Sequence, residues 1–271
     1  MDTIQNKLKA LHGQAPDGRY RAVDDSGGTV HLGETVLPIL RQVEGQRWEL
    51  IGTGFFISGN GVFATAKHVL HDVLDAKGQQ LHPIAIFQFI SGNQYLIRPV
   101  MLGSHNTEAD IAIGVLQQAT HNETGEALNN RTLTLTTNAP KVGEIVATYA
   151  YPNTVNEQNE SVQSLIFNPA YYEGILEEYL VEGRDNSMLP GPCYRTSIIM
   201  HGGASGGPVV GPSGRVFAIN STGFHGADIS YVSRINEILP LSINIMDMGT
   251  LRSITVLEMA RRGWVTFAPP L

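Results

Sequence analysis

The chain has 271 residues, a formal net charge of −7 and 42% hydrophobic residues. This length is enough for one or two domains with a sizeable core. Basic residues are not clustered beyond the pair Arg261-Arg262, so we expect no nucleic-acid partner. No apolar run is long enough to span a bilayer, so we also expect no membrane partner.

Cysteine content and the first residues bear on the compartment. The segment from Met1 to Lys7 lacks the basic and apolar regions of a signal peptide. Cys193 is the only cysteine, so an intrachain disulfide is impossible. Chains without disulfides are typical of reducing compartments. We therefore expect a cytoplasmic protein.

Residues 1–33 are interpreted as an N-terminal extension. The stretch from Ile4 to Leu11 has the pattern of a short amphipathic helix, and residues 15–29 are polar and contain one proline and three glycines. This composition predicts a linker or an arm draped over the rest of the chain. Such an extension, like the C-terminal one, is where a regulatory protein partner would dock.

Short strands separated by turn signals begin near Val36. Residues 36–40 and 47–51 are predicted to form a hairpin, and the Asn60-Gly61 pair predicts a tight turn between residues 54–57 and 62–64. Later strands are predicted over residues 84–89, 94–97, 100–102, 111–116, 145–149, 162–167, 171–180, 193–200, 209–210, 216–219 and 229–232. This pattern indicates an all-β barrel architecture. A helix is predicted over Leu251 to Arg261, ahead of Gly263.

Two local sequences in the first half suggest acid–base chemistry. The run T-A-K-H ends at His68, where a strand is predicted to lead into a short helix and to hold a general base rigidly. The run A-D-I-A-I places Asp110 just before a strand. An aspartate there can accept a hydrogen bond from the Nδ1–H of an imidazole and leave Nε2 available to a nucleophile.

The third sequence is G-A-S-G-G-P at residues 203–208. A serine hydroxyl needs a base to become nucleophilic, and the oxyanion formed by its attack needs donors already in place. Glycines permit backbone angles that other residues avoid, so the amides of Gly203 and Ser205 can face one point beside the Ser205 hydroxyl. The sequence therefore points to acyl transfer.

The order His68, Asp110, Ser205, with these three local sequences, resembles the trypsin-like (chymotrypsin-fold) serine peptidases over roughly residues 36–239. The resemblance implies His68 as general base, Asp110 as its orienter, Ser205 as nucleophile, and the Gly203 and Ser205 amides as the oxyanion hole. It is closest in style to HtrA-like and bacterial or viral members without zymogen activation, because Ala204 replaces the aspartate that activation by cleavage requires.

The same resemblance implies a fold of two six-stranded Greek-key β-barrels with a short C-terminal helix. The first barrel would cover residues 34–125 and carry the histidine and aspartate. The second would cover residues 126–235 and carry the nucleophile and the specificity pocket. Residues 236–271 would form a C-terminal helical segment.

Substrate-binding residues also follow from the resemblance. Ile199 is expected at the floor of the primary pocket, His201 at its lip, and Asn220, Ser221 and Thr222 along its wall. An aliphatic floor offers no counter-charge, so a buried Lys or Arg side chain of the substrate would stay unpaired at high cost. Small or medium apolar side chains are therefore expected on the acyl side of the scissile bond.

Other interpretations of single features are weaker. Residues 59–64 fit a dinucleotide fingerprint, but the sequence after them favours a strand rather than a helix. The spacing of His68 and His71 suits zinc, yet no third ligand is indicated. Cys193 lacks flanking glycines and is interpreted as a core thiol. We therefore expect no cofactor and no metal.

The sequence thus predicts a serine endopeptidase acting on a polypeptide substrate. A latent or catalytically idle domain that binds peptides and answers to a partner is the main alternative. An esterase acting on small esters would need the same three residues.

Overall fold

The computed structural model describes residues 7–44, 47–72, 80–91, 94–120, 124–159, 162–223, 229–247, 250–269 and 271. Three short strands lie in the N-terminal extension: β1 (Lys7–His12), β2 (Ala22–Val23) and β3 (Thr29–Val30). β2 and β3 pair with each other, and the Tyr20 hydroxyl donates to the carbonyl of Ile145 at 3.1 Å. The described part of the extension is therefore an arm packed on the rest of the chain.

The first barrel is closed by six antiparallel strands in the order β4-β5-β6-β9-β8-β7. They are β4 (Val36–Val43), β5 (Arg47–Phe56), β6 (Val62–Thr65), β7 (Ile84–Ser91), β8 (Gln94–His105) and β9 (Ala112–Leu116). β4 pairs with β5, and β5 with β6 across the predicted Asn60-Gly61 turn. Both predicted hairpins are confirmed.

The second barrel is likewise closed by six strands, in the order β10-β13-β14-β17-β16-β15. The elements of this half are β10 (Ile145–Ala150), β11 (Val155–Gln158), β12 (Val162–Phe167), β13 (Ala170–Leu180), β14 (Cys193–Thr196), β15 (Pro208–Val210), β16 (Val216–Gly223) and β17 (Ser230–Arg234). The all-β fold of two six-stranded barrels predicted from the sequence is confirmed.

The predictions for residues 162–167 and for the N-terminal helix are wrong. β12 lies outside the second barrel, in a three-stranded sheet with β11 and β1. β1 runs parallel to β12 from Lys7 opposite Val162 to His12 opposite Phe167, so the described part of the predicted N-terminal helix is a strand. A helix of eight residues is marginal alone, whereas this strand gains ladder hydrogen bonds and buries Ala10.

The C-terminal helix is shorter than predicted. Residues 242–255 form a hairpin of β18 (Ser242–Asp247) and β19 (Thr250–Thr255), and the helix α2 covers only Val256–Arg261. Thr255 caps α2 by accepting from the amide of Glu258, whose carboxylate accepts from the Thr255 amide. This reciprocal capping box fixes the start of the helix. A five-residue helix, α1 (Lys67–His71), follows β6.

No helix in the described ranges is long and apolar enough to cross a bilayer.

Candidate active site

The three residues that the sequence singles out lie on both barrels. His68 is the second residue of α1, the helix that follows β6. Asp110 precedes β9, which pairs with β6. Ser205 lies in the turn that leads into β15. His68 and Ser205 line the same open cleft of about 230 Å³. The fold therefore brings the two barrels together at the chemistry-bearing side chains.

His68 is held by Asp110 through two different groups. Nδ1 of the His68 ring lies 2.9 Å from Oδ2 of Asp110, and the His68 backbone N–H donates to Oδ1 at 3.0 Å. The Asp110 side chain is only 4% exposed, so little water competes for these contacts. With Nδ1 engaged in this way, Nε2 is the ring nitrogen left for chemistry in the cleft.

The pair shifts the pKa values of both groups. Burial alone lowers the pKa of His68, but the hydrogen bond and negative charge of Asp110 outweigh burial and raise it above the ordinary value of 6.5. Burial by itself raises the pKa of Asp110, and the hydrogen bond and charge of His68 reverse this, so the net pKa is lowered. Asp110 is therefore ionised at neutral pH.

Ser221 contacts two of these three residues. Its hydroxyl donates to Oδ2 of Asp110. Its carbonyl accepts a hydrogen bond from the Ser205 hydroxyl at 3.1 Å. The Ser205 hydroxyl is thus turned toward β16 instead of toward the ring of His68. A change of the Ser205 side-chain rotamer would redirect it.

The turn before Ser205 uses the backbone conformation that glycine permits. The Ala204 amide donates to the His201 carbonyl at 3.0 Å, and Gly203 has φ +90° at the third position of this turn, as a type II turn requires. Among the described residues, the amides of Gly203 and Ser205 find no acceptor. Both donors remain available to a ligand.

The predicted substrate-binding residues do not all line the cleft. His201 and Thr222 line the cleft, as does Ser221, although the Ser221 side chain is buried against Asp110. Asn220 is fully buried, and its amide contacts the turn of Ser205 from inside the barrel. The structure therefore places the Asn220 side chain behind the cleft wall.

Ile199 does not line the cleft, contrary to the expectation that it forms the pocket floor. Its side chain is 46% exposed, while Ile198 is fully buried and Met200 lines the cleft. Burial alternates along this segment, so one step in the sequence exchanges the exposed face for the inner one. Asp228, an acid that would supply a counter-charge if it reached the pocket, lies outside the described residues.

Several contacts at the cleft were missed from the sequence. Met188, in the loop between β13 and β14, lines the cleft and an adjoining one of about 200 Å³ beside His68 and Asp110. Arg184 of the same loop donates to Thr222 Oγ1 at 2.8 Å. No local pattern predicts that this loop borders the cleft, where Met188 lies beside residues of α1.

The contacts of His71 and Cys193 bear on the alternative roles considered for these two residues. His71 packs against His105 with ring centroids 5.2 Å apart. No cluster of three or more His, Cys, Asp or Glu side chains that could hold a metal occurs in the described ranges. Cys193 is buried, and burial raises the pKa of its thiol to about 11, so it is protonated at neutral pH.

Comparisons with known proteins agree with this fold. Residues 52–219 match the model of the trypsin-like peptidase domain. The chain is similar in fold to the crystal structure of Deg5, with 16% identity, a TM-score of 0.54 and coverage of 78% of this chain and 88% of that one. It is also similar to the active form of the Rv3671c protease from M. tuberculosis, with 19% identity, a TM-score of 0.52 and coverage of 76% and 78%.

A comparison with curated protein sequences gives no significant match. The family model, however, covers more than half of the chain, and it includes His68, Asp110 and Ser205. The chain therefore belongs to the trypsin-like peptidase family and is a serine protease.

Proposed function

We propose that the chain is an endopeptidase in which Ser205 is the nucleophile, His68 the general base and Asp110 the residue that orients His68. The observation that carries this proposal is the anchoring of His68 Nδ1 on Asp110, 2.9 Å away, while the ring and Ser205 share one cleft. With Nδ1 occupied, Nε2 accepts the proton of the Ser205 hydroxyl as its oxygen attacks the scissile carbonyl.

The oxyanion of the tetrahedral intermediate would be stabilised by the amides of Gly203 and Ser205. Support comes from the turn geometry at Gly203 and from the absence of an acceptor for either amide among the described residues. Donors already in position cost no reorganisation when the charge develops, which is why such sites contribute strongly to rate. The imidazolium of His68 then returns its proton to the leaving amine.

We propose an apolar preference on the acyl side of the scissile bond. The apolar lining of the cleft consists of Met188 and Met200, and not of Ile199, so the preference rests on these two side chains. The described lining contains no carboxylate. A buried cation from the substrate would therefore lack a partner there. His201 and Thr222 are proposed to contact the substrate alongside them, and Ser221 to contribute its main chain.

A latent peptide-binding domain is the alternative, and one observation favours it. The Ser205 hydroxyl donates to the Ser221 carbonyl instead of to His68. In a resting enzyme, substrate binding would break this hydrogen bond. In a latent domain, the hydrogen bond would persist until a partner bound.

A regulatory partner acting through the N-terminal extension is part of the same proposal. The ring of His12 lies 3.0 Å from the Tyr151 hydroxyl, and the Tyr151 amide donates to Thr53 Oγ1 at 3.2 Å. Thr53 Oγ1 in turn donates to the carbonyl of Gly203 at 2.7 Å. Displacement of β1 would therefore alter the hydrogen bonds that hold the turn at Gly203.

A cytoplasmic location is proposed from the lone, buried Cys193 thiol.

Labelling with a fluorophosphonate probe tests the proposed function. Such a probe reacts covalently with an activated serine only, so the wild type should be labelled and the Ser205→Ala variant should not. Wild type that takes up no probe, but binds peptides, would support the latent domain. Equal labelling of wild type and Ser205→Ala would overturn the assignment of Ser205.

A further inference from the structure

The turn that carries Ser205 is held from inside the protein through three consecutive carbonyls. The Gly203 carbonyl accepts from Thr53 Oγ1 at 2.7 Å, and the Ser205 carbonyl accepts from the Thr53 amide at 2.8 Å. Between them, the Ala204 carbonyl accepts from Nδ2 of Asn220 at 3.2 Å. Thr53, Ala204 and Asn220 are all fully buried. The turn is therefore fixed by two buried residues, Thr53 and Asn220, which do not line the cleft.

The Ala204 carbonyl determines where the Ser205 amide points. The two groups belong to one planar trans peptide, in which C=O and N–H face opposite directions. Because the Ala204 oxygen points inward to Asn220, the Ser205 N–H is directed outward. No described residue accepts a hydrogen bond from this amide, which is one of the two donors of the proposed oxyanion hole.

The Asn220 amide has one orientation that satisfies its neighbours. Thr148 Oγ1 donates to the Pro208 carbonyl at 2.8 Å, so it can only accept from Asn220, at 2.7 Å from Nδ2. The Ala204 carbonyl is likewise an acceptor. Both amide hydrogens of Asn220 are thereby committed, one to Thr148 and one to Ala204.

The amide oxygen of Asn220 indicates that the N–H donors of this side chain are its functional part. Oδ1 of Asn220 is buried and has no hydrogen-bond partner among the described residues. An unsatisfied buried acceptor is destabilising, and an apolar side chain of similar size on β16 would avoid this cost. Barrel stability alone therefore does not account for an asparagine at this position.

We propose that Asn220 is a positioning residue for catalysis: its Nδ2 holds the Ala204 carbonyl inward and so keeps the Ser205 N–H directed into the oxyanion hole. Gly207 N–H also donates to the Ala204 carbonyl, at 3.2 Å, so the main chain shares the task with this side chain. The inference rests on the proposed function of Ser205, because it concerns the same hole.

The test replaces Asn220 with leucine, which keeps the branched shape and removes both donors. Removal of a whole oxyanion-hole donor lowers kcat by about 10² to 10³, so a donor that is present but misdirected should lower it by roughly 10- to 100-fold. We expect KM for a peptide substrate to stay within about twofold. Affinity for a peptide trifluoromethyl ketone, which forms the oxyanion, should fall in parallel with kcat.

The matched control is Thr134→Val. Thr134 is a buried residue whose hydroxyl donates to the Asp24 carbonyl at 2.6 Å, in a segment that does not line the cleft. This variant loses a buried hydrogen bond, and its melting temperature can be compared with that of Asn220→Leu. Its kcat and its affinity for the ketone should equal those of wild type.

The outcomes separate this inference from the proposed function. Inactive wild type would refute the proposed function itself. Three results with active wild type would overturn only the role of Asn220: an Asn220→Leu variant of unchanged kcat, a KM that rises as kcat falls, or a ketone affinity that does not fall with kcat. Failure of both Asn220→Leu and Asn220→Val to fold, while Thr134→Val folds, would also overturn it, because Asn220 would then serve the barrel rather than the hole.

Discussion

The Ser221 hydroxyl donates a hydrogen bond to Oδ2 of Asp110, the same oxygen that lies 2.9 Å from Nδ1 of His68. The main-chain carbonyl of Ser221 accepts a hydrogen bond from the Ser205 hydroxyl. One buried serine therefore links the carboxylate that orients the base to the residue proposed as nucleophile. It stabilises the charged form of Asp110 in a site with little water.

Replacing Ser221 with alanine should lower kcat/KM by roughly tenfold, because a hydrogen bond to a charged group contributes about 1.5–3 kcal/mol and part of it is needed in the transition state. Steady-state hydrolysis of a peptide substrate measures the effect. Ser233→Ala is the control, since Ser233 is also a buried serine, on β17, and its hydroxyl has no partner among the described residues. Equal activity of both variants would remove Ser221 from the account.

Activity should depend on the protonation of His68. The ring must be neutral to accept the Ser205 proton, and Asp110 raises the pKa of His68 above 6.5. A raised pKa means that the ring stays protonated to higher pH, so kcat/KM should increase with pH through a midpoint above 6.5. A midpoint clearly below 6.5 would contradict the pairing of His68 with Asp110.

Two variants should move this midpoint in a graded way. Asp110→Asn removes the largest cause that raises the pKa of His68 and leaves burial, so the midpoint should fall, with kcat lower by about 10⁴-fold. Asp72→Asn removes a weaker and exposed negative charge, so it should give a smaller shift in the same direction with kcat largely kept. A shift to higher pH in either variant would contradict this electrostatic account.

The cleft lining predicts how specificity can be changed. Wild type should cleave after aliphatic residues in preference to Lys or Arg. Met200→Asp places a carboxylate in the cleft and should raise cleavage after basic residues, relative to aliphatic ones, by on the order of tenfold or more. Ile199→Asp, one position earlier on the exposed side, should leave the preference unchanged. Profiling of a peptide library decides the point, and the reverse pattern would restore Ile199 as the floor.

Gly206→Ala should destabilise the fold strongly. Gly206 has φ +89°, and a Cβ there would lie 2.0 Å from the Thr53 carbonyl oxygen and 2.1 Å from Thr65 Oγ1. We expect a loss of more than about 2 kcal/mol in the free energy of unfolding. Gly27→Ala is the control, because Gly27 has φ +82° with nothing within 4 Å of the added Cβ, so only the backbone term of about 1 kcal/mol applies. Equal losses in denaturant unfolding would mean that packing under Ser205 is loose.

The sequence predicted the parts of the fold that short-range signals determine. The Asn60-Gly61 turn predicted the pairing of β5 with β6, and the T-A-K-H run predicted the junction that holds His68. At the C-terminus, the local signal existed but was missed. Thr255 and Glu258 have the spacing of a capping box, which begins the helix at Val256 rather than at Leu251.

Other features depend on contacts between distant residues. β1 becomes a strand only because β12, more than 150 residues later, offers it an edge. The hydrogen bond from Ser221 to Asp110 joins positions 111 residues apart, and no local pattern encodes it. The alternation that turns Ile199 outward and Met200 into the cleft likewise depends on where the segment after β14 leaves the barrel.

The most direct test of the central claim is peptide hydrolysis by rigorously purified wild type and Ser205→Ala. Among the described residues, the Ser205 hydroxyl has one hydrogen-bond partner, the Ser221 carbonyl, so the variant should keep its stability to within about 1 kcal/mol. Its turnover should fall by about 10⁴-fold or more, as expected when the nucleophile of such a triad is removed. Turnover by folded Ser205→Ala at a rate near that of wild type would contradict the account.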